Sequence, residues 1–170
     1  WINVKSAVGE GTIFSVYLPA TDSDNYIQQQ DQGEILPVEG RRGNGERILL
    51  VEDQEDVRKF VKNALSGFGY NVYQASDIKS AISMFVQEKG AFDLLLSDIV
   101  LPDGKGIFLA DNLLENNPAL KIILSSGYTE QKFQLKVLNE KHYNFLPKPY
   151  TLNTLLDMVK KVLNGPVNRD

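Results

Sequence analysis

The chain has 170 residues, 42% of them hydrophobic, and a formal net charge of -4. That suffices for one domain with a proper core, and the acidic balance excludes the basic surface that nucleic acid or an anionic membrane would require. Cysteine is absent, which excludes disulfides and thiolate metal sites and sets the expectation of a reducing, cytoplasmic compartment.

Residues 1 to 18 predict a β-hairpin. Ile2 and Val4 alternate with Asn3 and Lys5, Phe14, Val16 and Leu18 alternate with Ser15 and Tyr17, and "VGEGT" at 8 to 12 supplies the turn. Pro19 ends the second strand. The chain opens on Trp1 with strand character and no signal peptide, so a piece of a longer protein is expected. Residues 20 to 46 are polar and rich in Gln, Asp and Gly, which predicts a linker. No apolar run approaches the ~20 residues that span a bilayer.

From Arg47 the pattern changes. "RILLVED" predicts a buried strand, and Val57, Phe60, Val61, Ala64, Leu65 and Phe68 recur at helical spacing until Gly69. "YNVYQA" predicts a second strand, and Ile78, Ala81, Ile82, Phe85 and Val86 a second helix. "FDLLLSD", 92 to 98, is a near-continuous apolar run of the kind covered on both faces, followed by a Pro102-Asp103-Gly104 turn and a helix from 106 to 115. "LKIILSS" is a fourth strand, 129 to 140 a weakly amphipathic helix and "YNFLP" a fifth strand. Leu152, Leu155, Leu156, Val159, Val162 and Leu163 mark a fifth helix, ending at Gly165. The domain is expected at 47 to 164, with a tail from 165 to 170.

Five strands alternating with five helices require an α/β fold, a doubly wound parallel sheet with helices on both faces. Ligands of such sheets bind beyond the carboxyl ends of the strands. Those ends carry Glu52 and Asp53, then Asp98, then Ser125, Ser126 and Gly127, then Pro147, Lys148 and Pro149. A lone Asp there is ordinarily a helix cap or a solvated turn residue. Three acids gathered at one edge instead repel one another and call for a cation, and an all-oxygen set suits Mg²⁺. A carboxylate is also a feasible nucleophile toward phosphorus. Asp98 would be that nucleophile, with Mg²⁺ and Lys148 neutralising the phosphoryl oxygens and Ser126 hydrogen-bonding one of them. Lys148 lies between two prolines, where a cis Lys148-Pro149 bond is plausible.

At this point residues 47 to 164 resemble a response-regulator receiver domain of two-component signalling. The markers are "LLVEDQ", "LLLSDIVLPDGKG", "IILSSGYT" and "NFLPKPY", in order and each at a strand end. The resemblance implies a flavodoxin-like sheet of strand order 2-1-3-4-5 with five helices. It also implies phosphorylation of Asp98, with Mg²⁺ held by Glu52, Asp53, Asp98 and the backbone carbonyl of Val100. Ser126 and Phe145 fall at its switch positions, and Lys148 is its lysine. The resemblance further implies that Val100 and Tyr128 flank the path of the water that hydrolyses the phosphoryl group. A Ser followed by Gly stands where Thr-Ala is commoner.

"WINVKSAVGEGTIFSVYLP" is similar to the final hairpin of a histidine-kinase ATP-binding domain, "GEGT" matching its last glycine box. Together the two resemblances imply the C-terminal part of a hybrid sensor histidine kinase, this stretch alone being without ATP binding or kinase activity. His142 is read as structural or surface, with no relay role. No output domain is expected after residue 164. The expected partners are therefore the kinase core of the parent chain or a histidine phosphotransfer protein. Three other readings compete. A flavodoxin-like cofactor binder would want a Ser/Thr/Gly phosphate loop where Glu52-Asp53-Gln54 stand. A haloacid-dehalogenase-like phosphatase would want an acid at Val100. A pseudo-receiver acting only in docking would lack the acceptor or the lysine.

Overall fold

The computed structural model describes residues 2–17, 38–127, 141 and 143–165. The helix expected at 129 to 140, His142, Tyr128, most of the expected linker and the end of the tail lie outside the described residues. The chain separates into two units, Trp1–Ile35 and Leu36–Asp170.

The first unit holds an antiparallel pair, β1 (Ile2–Ala7) and β2 (Gly11–Val16), the hairpin expected from the alternation. Gly9 and Gly11 both take positive φ, and the N–H of Glu10 donates to the carbonyl of Ala7, closing the turn. The register sets Ile2 opposite Val16 and Val4 opposite Phe14, so these four share a face, and all four are exposed.

The second unit is the α/β fold. Its sheet strands are β3 (Arg47–Val51), β4 (Asn71–Ala75), β5 (Leu94–Asp98), β8 (Lys121–Ser126) and β9 (Asn144–Pro147), all parallel, in the order β4-β3-β5-β8-β9. Counted within the sheet, that is 2-1-3-4-5. Between β5 and the next helix, β6 (Val100–Leu101) and β7 (Gly104–Lys105) pair as a small hairpin around Pro102 and Asp103. Among the described residues the α-helices are α1 (Glu55–Gly67), α2 (Ile78–Gln87), α3 (Gly106–Asn116) and α4 (Leu152–Asn164).

The apolar runs conceal a period of two, which fills two cores. Leu49, Val51, Leu95, Ile122 and Leu124 pack with Ala81 and Phe85 of α2 and Ile107, Ala110 and Leu113 of α3. Ile48, Leu50, Leu94, Leu96 and Ile123 pack with Val61 and Leu65 of α1 and Leu155, Leu156 and Val159 of α4. Side-chain caps mark the starts of two of the helices. Asp77 accepts from the N–H of Ser80 at the start of α2, and Thr151 from the N–H of Thr154 at the start of α4.

Residues 38–46 fell in the stretch expected as a linker, yet they are built structure. Val38–Arg41 is a 3-10 helix. The guanidinium of Arg41, 3% exposed, donates to both carboxylate oxygens of Asp157 at 2.7 and 3.1 Å and to Asn153 Oδ1 at 2.8 Å, all on α4. The hydroxyl of Tyr70 donates to the Arg41 carbonyl, and the N–H groups of Gly43 and Gly45 donate to the carbonyls of Phe68 and Gly69. Glycine is required at 43, where a Cβ would come within 2.5 Å of the Tyr70 ring. Composition misses this arm because its bonds are few, specific and directed at residues far along the chain.

Truncating the chain before residue 38 should leave the melting temperature of the α/β unit unchanged, whereas truncating before residue 47 should lower it. Arg41→Ala should cost about 1.5–3 kcal/mol, the range for hydrogen bonds to charged groups. Denaturant unfolding of the three forms checks this, and an Arg41→Ala midpoint equal to that of the unaltered chain would show the arm to be ornamental.

Candidate functional site

A parallel sheet in register brings its carboxyl ends to one edge. Val51 pairs with Ser97, Asp98 with Ser125 and Ser126 with Pro147. Residues that follow or end these strands therefore meet: Glu52 and Asp53 after β3, Asp98 at the end of β5, Ser126 at the end of β8, Lys148 just after β9. Asp53, Gln54, Asp98, Val100, Ser126 and Lys148 line a cavity of about 310 Å³.

Glu52, Asp53 and Asp98 each place an oxygen within 4.8 Å of the other two. Glu52 and Asp98 are 2% and 8% exposed, and Asp53 faces solvent. Buried carboxylates this close require a counter-charge. Lys148 provides it. Its Nζ donates to Glu52 Oε2 at 2.5 Å and lies 2.7 and 2.8 Å from the two oxygens of Asp98. Burial pushes the Asp98 carboxyl up to about 7, against the pull of Lys148 and with the help of the Glu52 charge. Burial alone would also discharge Lys148; the hydrogen bonds to Asp98 and Glu52 outweigh it and hold the ammonium above the ordinary lysine value. The Lys148-Pro149 peptide is cis.

One ammonium against three acids leaves the edge net negative. The donors are all hard oxygens, two of them in a dry wall and one open to water. That set fits Mg²⁺, which keeps several waters and takes few protein ligands.

The backbone around the acids is fixed from α1. The N–H of Gln54 donates to Glu52 Oε1 at 3.2 Å, and Arg58 Nη1 donates to the carbonyls of Glu52 and Asp53 at 2.6 and 3.1 Å. On the other side, Gly106 opens α3 directly against the acceptor strand. A Cβ there would lie 2.0 Å from the carbonyl oxygen of Asp98, so no other residue fits without moving the end of β5.

The remaining expected residues are placed as follows. Ser126 is buried, and its hydroxyl donates to the carbonyl of Gly127 at 3.2 Å. Val100 lines the cavity with a side chain 50% exposed. Phe145 pairs with Leu124 in the sheet, is half-buried, and packs on the core beneath α2 and α3, away from the cavity lining. Tyr128 is outside the described residues. Sequence reasoning overlooked Arg58 and the part played by Gly106. Nothing in the string separates Arg58 from any cation on a solvated helix face. Gly106 did carry a signal, since a glycine just inside a helix start is costly unless backbone must approach closely.

The fold and this edge define a class first: a doubly wound α/β protein with a cation-competent acidic cleft at the carboxyl ends of its strands. Residues 48–160 match the model of the response regulator receiver domain, and the chain belongs to that family. It is similar to the sensor kinase CckA of Brucella abortus, 31% identical over 172 residues, covering 96% of this chain but only 18% of that protein. It is also 36% identical over 117 residues to the response regulator receiver protein CpdR of Brucella abortus, covering 69% of this chain and 96% of that one. Among solved structures, the receiver domain from the hybrid histidine kinase CckA superposes with a TM-score of 0.59 at 30% identity, covering 69% of this chain and 99% of that one. Among the described residues, no helix is long and apolar enough to cross a membrane.

A cation can use the Asp98 carboxylate only after its proton has left. With that proton held up to about pH 7, Mg²⁺ affinity should rise as pH rises and fall as pH drops below 7, by about tenfold between pH 8 and pH 6 for one competing proton. Calorimetric titrations at the two pH values check the sign; equal affinity at both refutes it.

Proposed function

We propose that residues 47–164 are a phosphoacceptor receiver domain within a hybrid sensor histidine kinase, and that Asp98 takes the phosphoryl group from a phosphohistidine. An oxygen of Asp98 attacks phosphorus, a P–O bond forms, the P–N bond breaks, and the imidazole leaves with the bonding pair. The observation that carries this reading is the pairing of a buried Asp98 with Lys148 beside two further acids in an open cavity. Mg²⁺, held by Glu52, Asp53, Asp98 and the Val100 carbonyl, would neutralise charge on the phosphoryl oxygens. Lys148 already sits on both oxygens of Asp98, where it can follow charge as it builds on the acyl phosphate. Ser126, at the same edge, offers a hydroxyl to a phosphoryl oxygen, and Phe145 on the neighbouring strand is the residue that would follow its movement.

The hybrid-kinase context rests on the first unit. The similarity to the sensor kinase CckA spans 96% of this chain, and the hairpin has the glycine turn of the histidine-kinase motif it resembles. An isolated two-stranded hairpin is marginal in water, and its exposed face of Ile2, Val4, Phe14 and Val16 suits the rest of an ATP-binding domain. The phosphodonor is then the kinase core of the parent chain or a histidine phosphotransfer protein, with the reaction in the cytoplasm.

Acetyl phosphate with Mg²⁺ should add one phosphoryl group, seen by intact mass. EDTA should prevent the adduct and Asp98→Asn should abolish it. An adduct that persists in Asp98→Asn would sink the assignment.

The phosphoryl group should be long-lived. Hydrolysis needs a water in line, opposite the aspartate oxygen. The side chain of Val100, which borders the cavity, has no donor or acceptor to orient one, and Tyr128 is the other flanking residue. Restoring a polar group with Val100→Asn should speed decay by up to ~10²-fold, the scale of lost acid–base assistance. Decay of the unaltered chain within seconds, or no acceleration in Val100→Asn with or without Tyr128→Glu, would refute this.

A further inference from the structure

Among the described residues, hydrogen bonds tie down the loop after the acceptor strand at three places, one of them made by a side chain. The N–H of Ile99 donates to the carbonyl of Ser125 at 2.9 Å, and the N–H of Gly106 donates to the carbonyl of Ile99 at 2.8 Å. Those two bonds are backbone to backbone. The third is Asp103, at the tip of the β6-β7 hairpin. Its Oδ1 accepts from the N–H of Ile78 at 2.9 Å and its Oδ2 from the N–H of Lys79 at 3.0 Å.

These are the first two amides of α2. The helix has its own cap, Asp77, which takes the N–H of Ser80 at 2.7 Å. Two carboxylates therefore share one helix start, one local and one reaching across from the acceptor loop. The Asp77 side chain satisfies one of the helix's orphan amides, and Asp103 takes two others from outside the helix, so the bond that completes this helix start also joins it to the acceptor loop. The hairpin is also seated sterically. Gly104, at φ 155, lies so close to Ile78 that a Cβ there would be 2.9 Å from its Cδ1. The loop held by this grip is the one carrying Val100, between Asp98 and the hairpin tip.

We propose that Asp103 is a positioning residue for the metal and phosphoryl site. By gripping the start of α2 with both oxygens, it fixes the course of residues 99–105 and so the Val100 backbone beside Asp98. It touches neither ion nor phosphoryl group and acts through the loop. The inference rests on the phosphoacceptor reading of Asp98 and adds to it a residue that sequence reasoning treats only as part of a turn.

The test uses the full chain, with Asp103→Ala, Asp103→Asn and a matched control, Asp77→Ala, which weakens the same helix start without touching the loop. The rate of Asp98 phosphorylation by acetyl phosphate is measured against Mg²⁺ concentration. Asp103→Ala should raise the Mg²⁺ needed for half-maximal rate by about tenfold, the low end of outer-shell losses because this brace is exposed. Its rate at saturating Mg²⁺ should stay near that of the unaltered chain. Asp103→Asn, which keeps one acceptor, should fall between, and Asp77→Ala should lower the melting temperature without moving the Mg²⁺ requirement. A Mg²⁺ requirement unchanged in Asp103→Ala, or moved equally by Asp77→Ala, overturns the proposal. Hydrogen exchange judges the brace apart from the chemistry: amides of 99–105 should lose protection in Asp103→Ala and keep it in Asp77→Ala, and unchanged protection overturns the brace. If the unaltered chain gains no Mg²⁺-dependent adduct while the exchange result holds, the phosphoacceptor reading fails and the site role of Asp103 falls with it.

Discussion

The Lys148 ammonium, shared between Glu52 and Asp98, is the contact on which the carboxyl edge depends. A sheet buried on both faces tolerates carboxylates at its rim only where their charge is answered, and these two are nearly dry. Even with the ammonium in place, burial holds Asp98 far above an ordinary aspartate. Lys148 reaches its partners across 96 and 50 residues of chain. It therefore also closes the fold, pulling the turn after the edge strand β9 back to the ends of β3 and β5. The same arithmetic of charge leaves room for a dication: a lysine spread over two acids, with a third open to water, is a partial answer to the negative excess.

The sheet was legible because its residues encode it locally. Apolar runs of five or six residues, punctuated by acids, glycines and prolines, predict strand ends within a residue or two; the string does not show which face each residue takes, and the strand pleat sends Leu49 and Val51 to one core and Ile48 and Leu50 to the other. The site was legible for the same reason, since parallel topology alone brings strand ends together. What the string concealed are contacts whose partners are distant and whose residue types are ordinary. Arg41 reads as one more charge in a polar stretch, and its partner Asp157 stands 116 residues on. Asp103 reads as a turn former beside Pro102 and Gly104, and the amides it takes lie 24 and 25 residues earlier. Periodicity reports burial of apolar faces; it carries no trace of a single directed hydrogen bond.

The arm at 38–46 changes what a boundary means here. Composition places the start of the domain at Arg47, where apolar residues begin, but the hydrogen-bonded unit begins earlier. The buried guanidinium, the Gly43 and Gly45 amides and the Tyr70 hydroxyl join the arm to α4, to the end of α1 and to the turn before β4. Lys160 of α4 adds a bond to the carbonyl of Arg42. The chain thus enters the domain along the helices of one core, the face opposite α2 and α3.

The two sides of the cavity differ in how firmly they are held. On the side of the acids, Arg58 fixes the carbonyls after β3, Gly106 packs backbone on backbone behind Asp98, and Asp103 ties the following loop to α2. On the side of β8, Ser125 is firmly bound, donating to the Leu146 carbonyl at 2.9 Å within the sheet. Its neighbour Ser126 donates at 3.2 Å to the carbonyl of the very next residue, a bond of poor reach and little cost to exchange. A phosphoryl group on Asp98 would add at least one negative charge and three strong acceptors. Ser126, which lines the same cavity, is a donor that can turn without breaking a sheet bond, and Phe145 lies on the strand paired with its own. Under the phosphoacceptor reading, firmness on one side is what would make the other side respond: with Asp98 and its loop held in place, the new charge would be met by movement at the end of β8.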